Sequence, residues 1–140
     1  MNNCKYCDSV KRDSPSDFIL ETKYWRVLLS YSHGYLGRCV IISKRHCGEL
    51  AELTREEWND FGEVVEKMEN ALKRAFGAVM FNWTAMMNDA FLKPNPNPHV
   101  HWHFRPRYDK DVKVGEYTFK DPQFGNHYDR ERSDTVSEDI

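Results

Sequence analysis

The feature that most constrains the fold is residues 99–104, where three histidines alternate with three large apolar residues. Three prolines at alternate positions in 94–98 stand directly before this segment and disfavour a helix. A period of two is typical of a strand, because successive side chains point to opposite faces. We expect the three imidazoles on one face and three apolar side chains in the core: Val100, Trp102 and Phe104.

The remaining chain predicts one long helix and four further strands. Thr54 and Glu57 form a capping box, and Gly77 is a stop signal after about six turns. The apolar stripe between them is Trp58, Phe61, Val65, Met68, Leu72 and Phe76. The predicted strands are 17–21, 24–30, 38–43 and 79–87, and the chain after residue 107 is expected to be loop.

Length and composition set the class of protein. A chain of 140 residues fits one domain, which we expect over 1–128, with a disordered polar acidic tail over 129–140. Twenty basic and 22 acidic side chains leave a net charge of -2, so no nucleic-acid partner is expected. The apolar runs are too short for a membrane span, and the amino terminus lacks a signal-type stretch. We therefore expect a cytoplasmic protein with reduced cysteines.

The three histidines cannot all bind one metal ion. Alternate residues on a strand are about 6.6 Å apart, so His99 and His103 are about 13 Å apart at the backbone. Zinc–nitrogen bonds measure about 2.0–2.1 Å, and tetrahedral coordination cannot be met across that separation. The spacing therefore excludes a catalytic zinc held by all three.

A closed metal site can instead use the first histidine alone. Cys4 and Cys7 form a C-x-x-C pair, which is typical either of a redox dithiol or of half a metal site. Metal is favoured, because no strand precedes the pair as it does in redox proteins. His46, just after a strand, and His99 complete a Cys₂His₂ set that is typical of structural zinc.

This division leaves His101 and His103 without metal. A neutral imidazole can be a nucleophile, and at phosphorus it forms a phosphoramidate. The neighbouring ring can donate a hydrogen bond to phosphate oxygens and to the leaving group. The pair therefore indicates chemistry at a phosphate.

These residues resemble a known family. Residues 99–107, His-Val-His-Trp-His-Phe-Arg-Pro-Arg, are similar to the His-φ-His-φ-His-φ-φ motif of the histidine-triad (HIT) hydrolases, where φ is hydrophobic. The resemblance extends over about residues 4–107 and includes the C-x-x-C pair, the Lys-Arg-His segment at 44–46 and the long helix.

The resemblance implies an α+β fold with a five-stranded antiparallel sheet, one long helix and a shorter one, usually as a homodimer. It implies hydrolysis or transfer of a nucleotidyl group through a covalent nucleotidyl-histidine, with the middle histidine, His101, as nucleophile. Members with an amino-terminal C-x-x-C, like galactose-phosphate uridylyltransferases, bind zinc through two cysteines, a histidine and the first triad histidine.

Two positions depart from the family pattern. Arg105 stands where an apolar residue is expected, and we expect its side chain opposite the triad or displaced by a bend at Pro106. Many relatives have a Gly-Gln-Ser/Thr loop before the triad, whereas residues 88–93 here read Asn-Asp-Ala-Phe-Leu-Lys. We expect Asn82 or Asn88 to supply the polar phosphate contacts instead; a turn former is the alternative role of Asn88.

The sequence thus predicts a zinc-containing nucleotide hydrolase or nucleotidyl transferase acting on a purine nucleotide or dinucleotide. The candidate substrates are a nucleoside phosphoramidate, an adenylylated amine and a dinucleoside polyphosphate. His101 attacks, His103 binds phosphate and protonates the leaving group, and His99 contributes through zinc. The alternatives are a nucleotide-binding regulatory module with little turnover and, less favoured by the short chain, transfer to a sugar phosphate.

Overall fold

The computed structural model describes residues 4–12, 16–129 and 136. Within these residues the chain forms two α-helices, α1 (Lys5–Lys11) and α2 (Arg55–Phe76), and two short 3-10 helices, Leu50–Glu52 and Asn88–Leu92. The strands are β1 (Phe18–Glu21), β2 (Trp25–Leu29), β3 (Cys39–Ser43), β4 (Met80–Thr84), β5 (His101–Arg107), β6 (Val112–Val114) and β7 (Tyr117–Phe119).

Five strands form one antiparallel sheet in the order β1-β2-β3-β5-β4. The predicted α+β class, with one long and one shorter helix, is confirmed. The histidine strand β5 lies between β3 and β4, so its backbone is hydrogen-bonded on both sides. That placement fixes the direction of the imidazoles, because a ladder on each side prevents the strand from rotating.

Helix α2 packs one apolar face against the sheet. Its buried apolar side chains are Phe61, Val64, Met68 and Leu72, which follow helical spacing. The Phe61 ring stacks on Trp102, with centroids 4.8 Å apart. Trp58, Val65 and Phe76, predicted in the stripe, are only partly buried, since the centre of the face passes through Val64.

Both ends of α2 are as predicted. The Thr54 hydroxyl accepts from the Glu57 N–H at 3.1 Å, and Glu57 Oε1 accepts from the Thr54 N–H at 2.8 Å. Gly77 ends the helix in the left-handed region, at φ 75°. The Glu57 carboxylate is 2% exposed and also accepts from Arg45 Nη2 at 2.8 Å and from Arg45 Nε at 3.2 Å.

Replacing Glu57 by glutamine is expected to lower the free energy of unfolding by about 1 kcal/mol at pH 7, because the charge-assisted pair between the buried Glu57 carboxylate and the half-exposed Arg45 guanidinium is lost. The Arg45 hydrogen bond lowers the pKa of Glu57 in the folded protein. The stabilisation is therefore complete above the unfolded carboxyl pKa of about 4.3 and is lost as pH falls through the lowered folded value. Urea unfolding of both proteins should show their difference shrinking below about pH 4; a difference independent of pH would contradict this.

The expectation of loop after residue 107 was wrong. Strands β6 and β7 form an antiparallel hairpin around a two-residue turn, in which Gly115 has φ 60°. Three-residue strands are too short to give a clear period, although Val112, Val114, Tyr117 and Phe119 do alternate. Strand β4 is also shorter than the predicted 79–87, and β5 begins at His101 rather than at residue 99.

The chain after the hairpin is bound to the sheet through Arg107. This guanidinium is fully buried and pairs with the Asp121 carboxylate at 2.7 and 3.0 Å. It also donates to the carbonyl oxygens of Gln123 and Asn126 and to Asn82 Oδ1. All five of its N–H groups therefore have acceptors, as burial of a charge requires.

The acidic tail predicted over 129–140 lies outside the described residues, apart from Asp129 and Val136. In the described part of the chain, no helix combines the length and apolar character needed to cross a bilayer.

Candidate active site and metal centre

The triad strand presents its histidines away from the helix. Val100 and Phe104 are fully buried on the helix side, where Trp102 stacks on Phe61. The imidazoles occupy the opposite face, and the rings of His101 and His103 lie edge-to-face with centroids 5.0 Å apart. The alternation of histidine and apolar residues in the sequence therefore corresponds to the alternation of side chains between the two faces of the strand.

Four side chains converge where α1 meets the end of β3. Their ligand atoms all lie within 4.8 Å of one another: Cys4, Cys7, His46 and His99. The Nδ1 atoms of His46 and His99 are 3.0 Å apart. Cys7 Sγ lies 3.2 Å from the first and 3.4 Å from the second, and Cys4 Sγ lies 3.3 Å from His99 Nδ1.

These distances fit a metal centre. Zinc bond lengths of about 2.0–2.1 Å to nitrogen and about 2.3 Å to sulfur place tetrahedral ligand atoms roughly 3.4–3.8 Å apart. The four separations above are within a few tenths of an ångström of that range, the remaining pairs lie within 4.8 Å, and two thiolates with two imidazoles form the donor set of structural zinc. The four predicted ligands are thus brought together in a site that could hold the predicted cofactor.

The groups around the centre fix the histidine tautomers. His99 Nε2–H donates to the Ser43 carbonyl oxygen at 2.6 Å, which leaves Nδ1 for the metal. His46 Nε2 lies 2.9 Å from Asn97 Oδ1. Its Nε2–H donates to that oxygen, which again leaves Nδ1 for the metal. The two nitrogens of His99 therefore face the Ser43 carbonyl oxygen and the Cys and His cluster. Neither Ser43 nor Asn97 was predicted from the sequence.

His101 lies beside the centre without joining it. Its Nδ1–H donates to the His99 carbonyl oxygen at 2.8 Å, so Nε2 carries the lone pair. Burial lowers the pKa of His101, and nearby Lys5 lowers it further, against a raising contribution from the hydrogen bond to His99. The imidazole is therefore neutral at pH 7, the form that a nucleophile requires.

Tyr6 contacts His101 and was not predicted from the sequence. Its hydroxyl lies 3.1 Å from His101 Nε2, and the two rings stack with centroids 4.1 Å apart. Burial, followed by Asp89 and Cys4, raises the pKa of the Tyr6 phenol, which stays protonated and can donate. The only sequence signal was its position between the two cysteines of the C-x-x-C pair.

Two cavities meet at the triad. The first, of about 330 Å³, includes Lys5, Asn88, Lys93 and His101 in its lining. The second, of about 360 Å³, lies over strands β2 and β3 and has an apolar floor that includes Leu28, Val40 and Ile42. Tyr6 and His103 line both cavities.

The two asparagines predicted to contact phosphate are placed differently. Asn88 lines the first cavity together with the triad histidines. Asn82 lines neither cavity, and its amide oxygen accepts from Arg107 at 2.9 Å. The structure therefore brings Asn88, but not Asn82, to the histidines.

The expectation that Arg105 lies opposite the triad was wrong. Residues 101, 103 and 105 are two apart on one strand, so their side chains share a face. The Arg105 guanidinium lies over the Tyr128 ring at 4.0 Å, and the Tyr128 hydroxyl reaches Thr84, the partner of His103 on β4. Arg105 is only 3% exposed, because this aromatic ring covers it.

The comparisons with known proteins agree with this geometry. The family model described as the HIT domain matches residues 11–110. The chain therefore belongs to the HIT family, whose members are typically nucleotide hydrolases or transferases. A search among curated proteins finds no match.

Solved structures share the fold. A HIT-family protein from Bacillus subtilis is 27% identical, with a TM-score of 0.63, over 78% of this chain and 76% of that chain. A Zn-bound histidine triad family protein from Mycobacterium smegmatis is 24% identical, with a TM-score of 0.60, over 86% and 84%. A uridylyltransferase is 23% identical, with a TM-score of 0.62, over 79% of this chain and 36% of that one.

Proposed function

We propose that this protein is a nucleotide hydrolase or nucleotidyl transferase that acts at the α-phosphorus through a covalent nucleotidyl-histidine on His101. The observation that supports the proposal is the state of that side chain: a neutral imidazole with Nδ1 bonded to backbone and the Nε2 lone pair at a cavity wall. The neighbouring cluster of four metal-ligating side chains does not include His101, so this nitrogen is not one of its ligand atoms.

The proposed reaction has two steps. His101 Nε2 attacks the α-phosphorus; the N–P bond forms, and the bond to the leaving group breaks with its electron pair. His103 donates a hydrogen bond to the phosphate oxygens and a proton to the departing atom, which suits a ring that lines both cavities. Water, or the hydroxyl of another acceptor in a transferase, then attacks phosphorus and gives its proton to His103, while the N–P bond breaks and its electron pair returns to His101 Nε2, so both rings are regenerated.

The two cavities suggest which part of a substrate each of them binds. The apolar floor of the second cavity suits a nucleobase, and Arg38 and Ser30 at its wall suit ribose and phosphate oxygens. The first cavity carries Lys5 and Lys93, which suit an anionic leaving group, and Asp89, which suits an amine. A purine nucleoside phosphoramidate, an adenylylated amine or a dinucleoside polyphosphate fits this division.

The metal is proposed to be zinc with a structural role. Four protein ligands would fill the tetrahedral positions that zinc prefers, which would leave none for a water or a substrate. The Zn-bound histidine triad family protein from Mycobacterium smegmatis, which shares this fold, is consistent with that assignment.

We further propose a homodimer formed along the free side of β4. This strand is at one edge of the sheet, and Val79, just before it, is 50% exposed. An open edge can pair with the same edge of a second copy. Sedimentation at micromolar concentration should give twice the chain mass for the native protein.

A single-turnover experiment tests the function and separates it from a binding module. A nucleoside phosphoramidate labelled at the α-phosphorus is mixed with excess protein and quenched in alkali, which preserves a phosphorus–nitrogen bond. The expected result is label on residue 101, found by peptide mapping and missing in His101→Ala. Nucleotide binding with no adduct and no turnover would instead support the regulatory module, which the replaced loop at 88–93 favours.

A further inference from the structure

We propose that Tyr6 is a positioning residue. In the free protein its hydroxyl is hydrogen-bonded to Nε2 of His101, the attacking nitrogen, and the metal centre keeps the hydroxyl in that position. The proposal rests on the proposed function in one respect, the identity of His101 as the nucleophile. It adds a link between the metal centre and the reacting atom.

The hydrogen-bond directions leave one arrangement for this contact. Because His101 Nδ1–H donates to the His99 carbonyl oxygen, Nε2 must accept, and the Tyr6 hydroxyl 3.1 Å away is the donor. The stacked rings, 21° from parallel, keep the phenol over the imidazole. The hydroxyl therefore lies where an electrophile must approach the lone pair.

The position of Tyr6 is set mainly by the two thiols on either side of it. Helix α1 has seven residues and no buried residue, whereas isolated helices shorter than about 12–15 residues are marginal in water. At its far end, Arg26 donates to the carbonyl oxygens of Val10 and Arg12 at 3.4 and 2.7 Å. At the end that carries Tyr6, buried Cys4 and half-buried Cys7 bind the segment to His46 and His99.

It follows that metal binding and the contact at Nε2 are coupled. With the four ligands joined, the first turn of α1 is fixed and the phenol is held against His101. Without metal, the turn loses its main attachment and the hydroxyl can leave the nitrogen. A substrate that reaches from one cavity into the other must displace the same hydroxyl, since Tyr6 lines both.

The test measures how fast His101 reacts with diethyl pyrocarbonate, an electrophile that needs no nucleotide site. The lone pair attacks a carbonyl carbon to give N-carbethoxyhistidine, with ethanol and carbon dioxide released. Peptide mass mapping follows the product at residue 101 alone, in zinc-loaded protein at pH 7. Tyr6→Phe keeps the stacked ring and removes the hydroxyl, so residue 101 should react about fivefold faster, which corresponds to about 1 kcal/mol.

Chelation tests the link to the metal. Removing zinc from the wild type should raise the rate at residue 101 to that of Tyr6→Phe, and the two metal-free proteins should react alike. This non-additivity is the signature of coupling between the metal and the hydroxyl. Tyr117→Phe, on the separate hairpin, is the matched control and should keep the wild-type rate.

Equal rates at residue 101 in zinc-loaded wild type and Tyr6→Phe, with equal zinc content and melting temperature, would overturn the proposal. A wild-type rate unchanged by chelation would overturn the coupling. The probe also separates this proposal from the proposed function. A nucleotidyl adduct on His101 without a Tyr6 effect contradicts only the positioning role, whereas a Tyr6 effect without any adduct contradicts only the nucleotide chemistry.

Discussion

Replacing His101 by alanine is expected to lower kcat on a nucleoside phosphoramidate by at least about 10⁴-fold, as loss of a covalent nucleophile does in other enzymes. The Nε2 atom of His101 carries a lone pair and lies at the first cavity. The ring is held in this orientation because its Nδ1–H donates to the His99 carbonyl oxygen. His99 cannot substitute, because its nitrogens lie in the metal cluster and on the Ser43 carbonyl.

The measurement is steady-state hydrolysis together with zinc content and thermal unfolding. Zinc should remain at one per chain, since His101 is not among the four clustered ligands. His103→Ala should retain more activity, about 10²–10⁴-fold below wild type, as loss of a general acid does. His33→Gln, at the loop before Gly37, is the control and should remain active. Turnover that survives in His101→Ala would show that another group attacks phosphorus.

Cys4→Ser is expected to abolish stoichiometric zinc binding and to lower the melting temperature by about 10 °C. Zinc at a thousand times its dissociation constant contributes about 4 kcal/mol, and each kcal/mol moves the midpoint by about 2–4 °C in a chain near this size. Cys4 is 4% exposed, and its sulfur also caps α1 by accepting from the Cys7 N–H. The substitution therefore removes both a ligand and the start of the helix.

A second buried cysteine supplies the matched control. Cys39 lies in β3, 2% exposed, and burial raises the pKa of its thiol to about 12, so it stays a neutral apolar side chain. Cys39→Ala should keep one zinc per chain with a modest loss of stability. Metal analysis and melting with and without chelator decide the outcome: full zinc in Cys4→Ser, or a wild-type melting temperature unaffected by chelation, would contradict the assigned centre.

The local patterns of the sequence were sufficient for the larger elements. The alternation over 99–104 predicted a strand; Val100 and Phe104 are buried, Trp102 is half-buried, and the imidazoles lie on the other face of β5 and the two residues before it. The capping box at Thr54 and the stop at Gly77 marked both ends of α2. Such signals act over three or four residues, which is why they can be read without the fold.

The metal ligands were predictable for a different reason. Two cysteines three positions apart and a histidine next to a strand are few enough that chemistry limits their combinations. The 13 Å spread of the triad, about twice 6.6 Å, then forced one histidine to separate from the others. The cluster of Cys4, Cys7, His46 and His99 follows from donor type and spacing.

What the sequence alone determined is therefore which residues form the long helix and the sheet strands, and which side chains carry the chemistry. Only the tertiary structure placed Tyr6 on His101, 95 positions away, turned Asn82 to Arg107 and covered Arg105 with Tyr128. Those contacts join segments distant in the chain, and no local period records them. They depend on how α1 and the chain after the hairpin lie on the sheet, which packing decides.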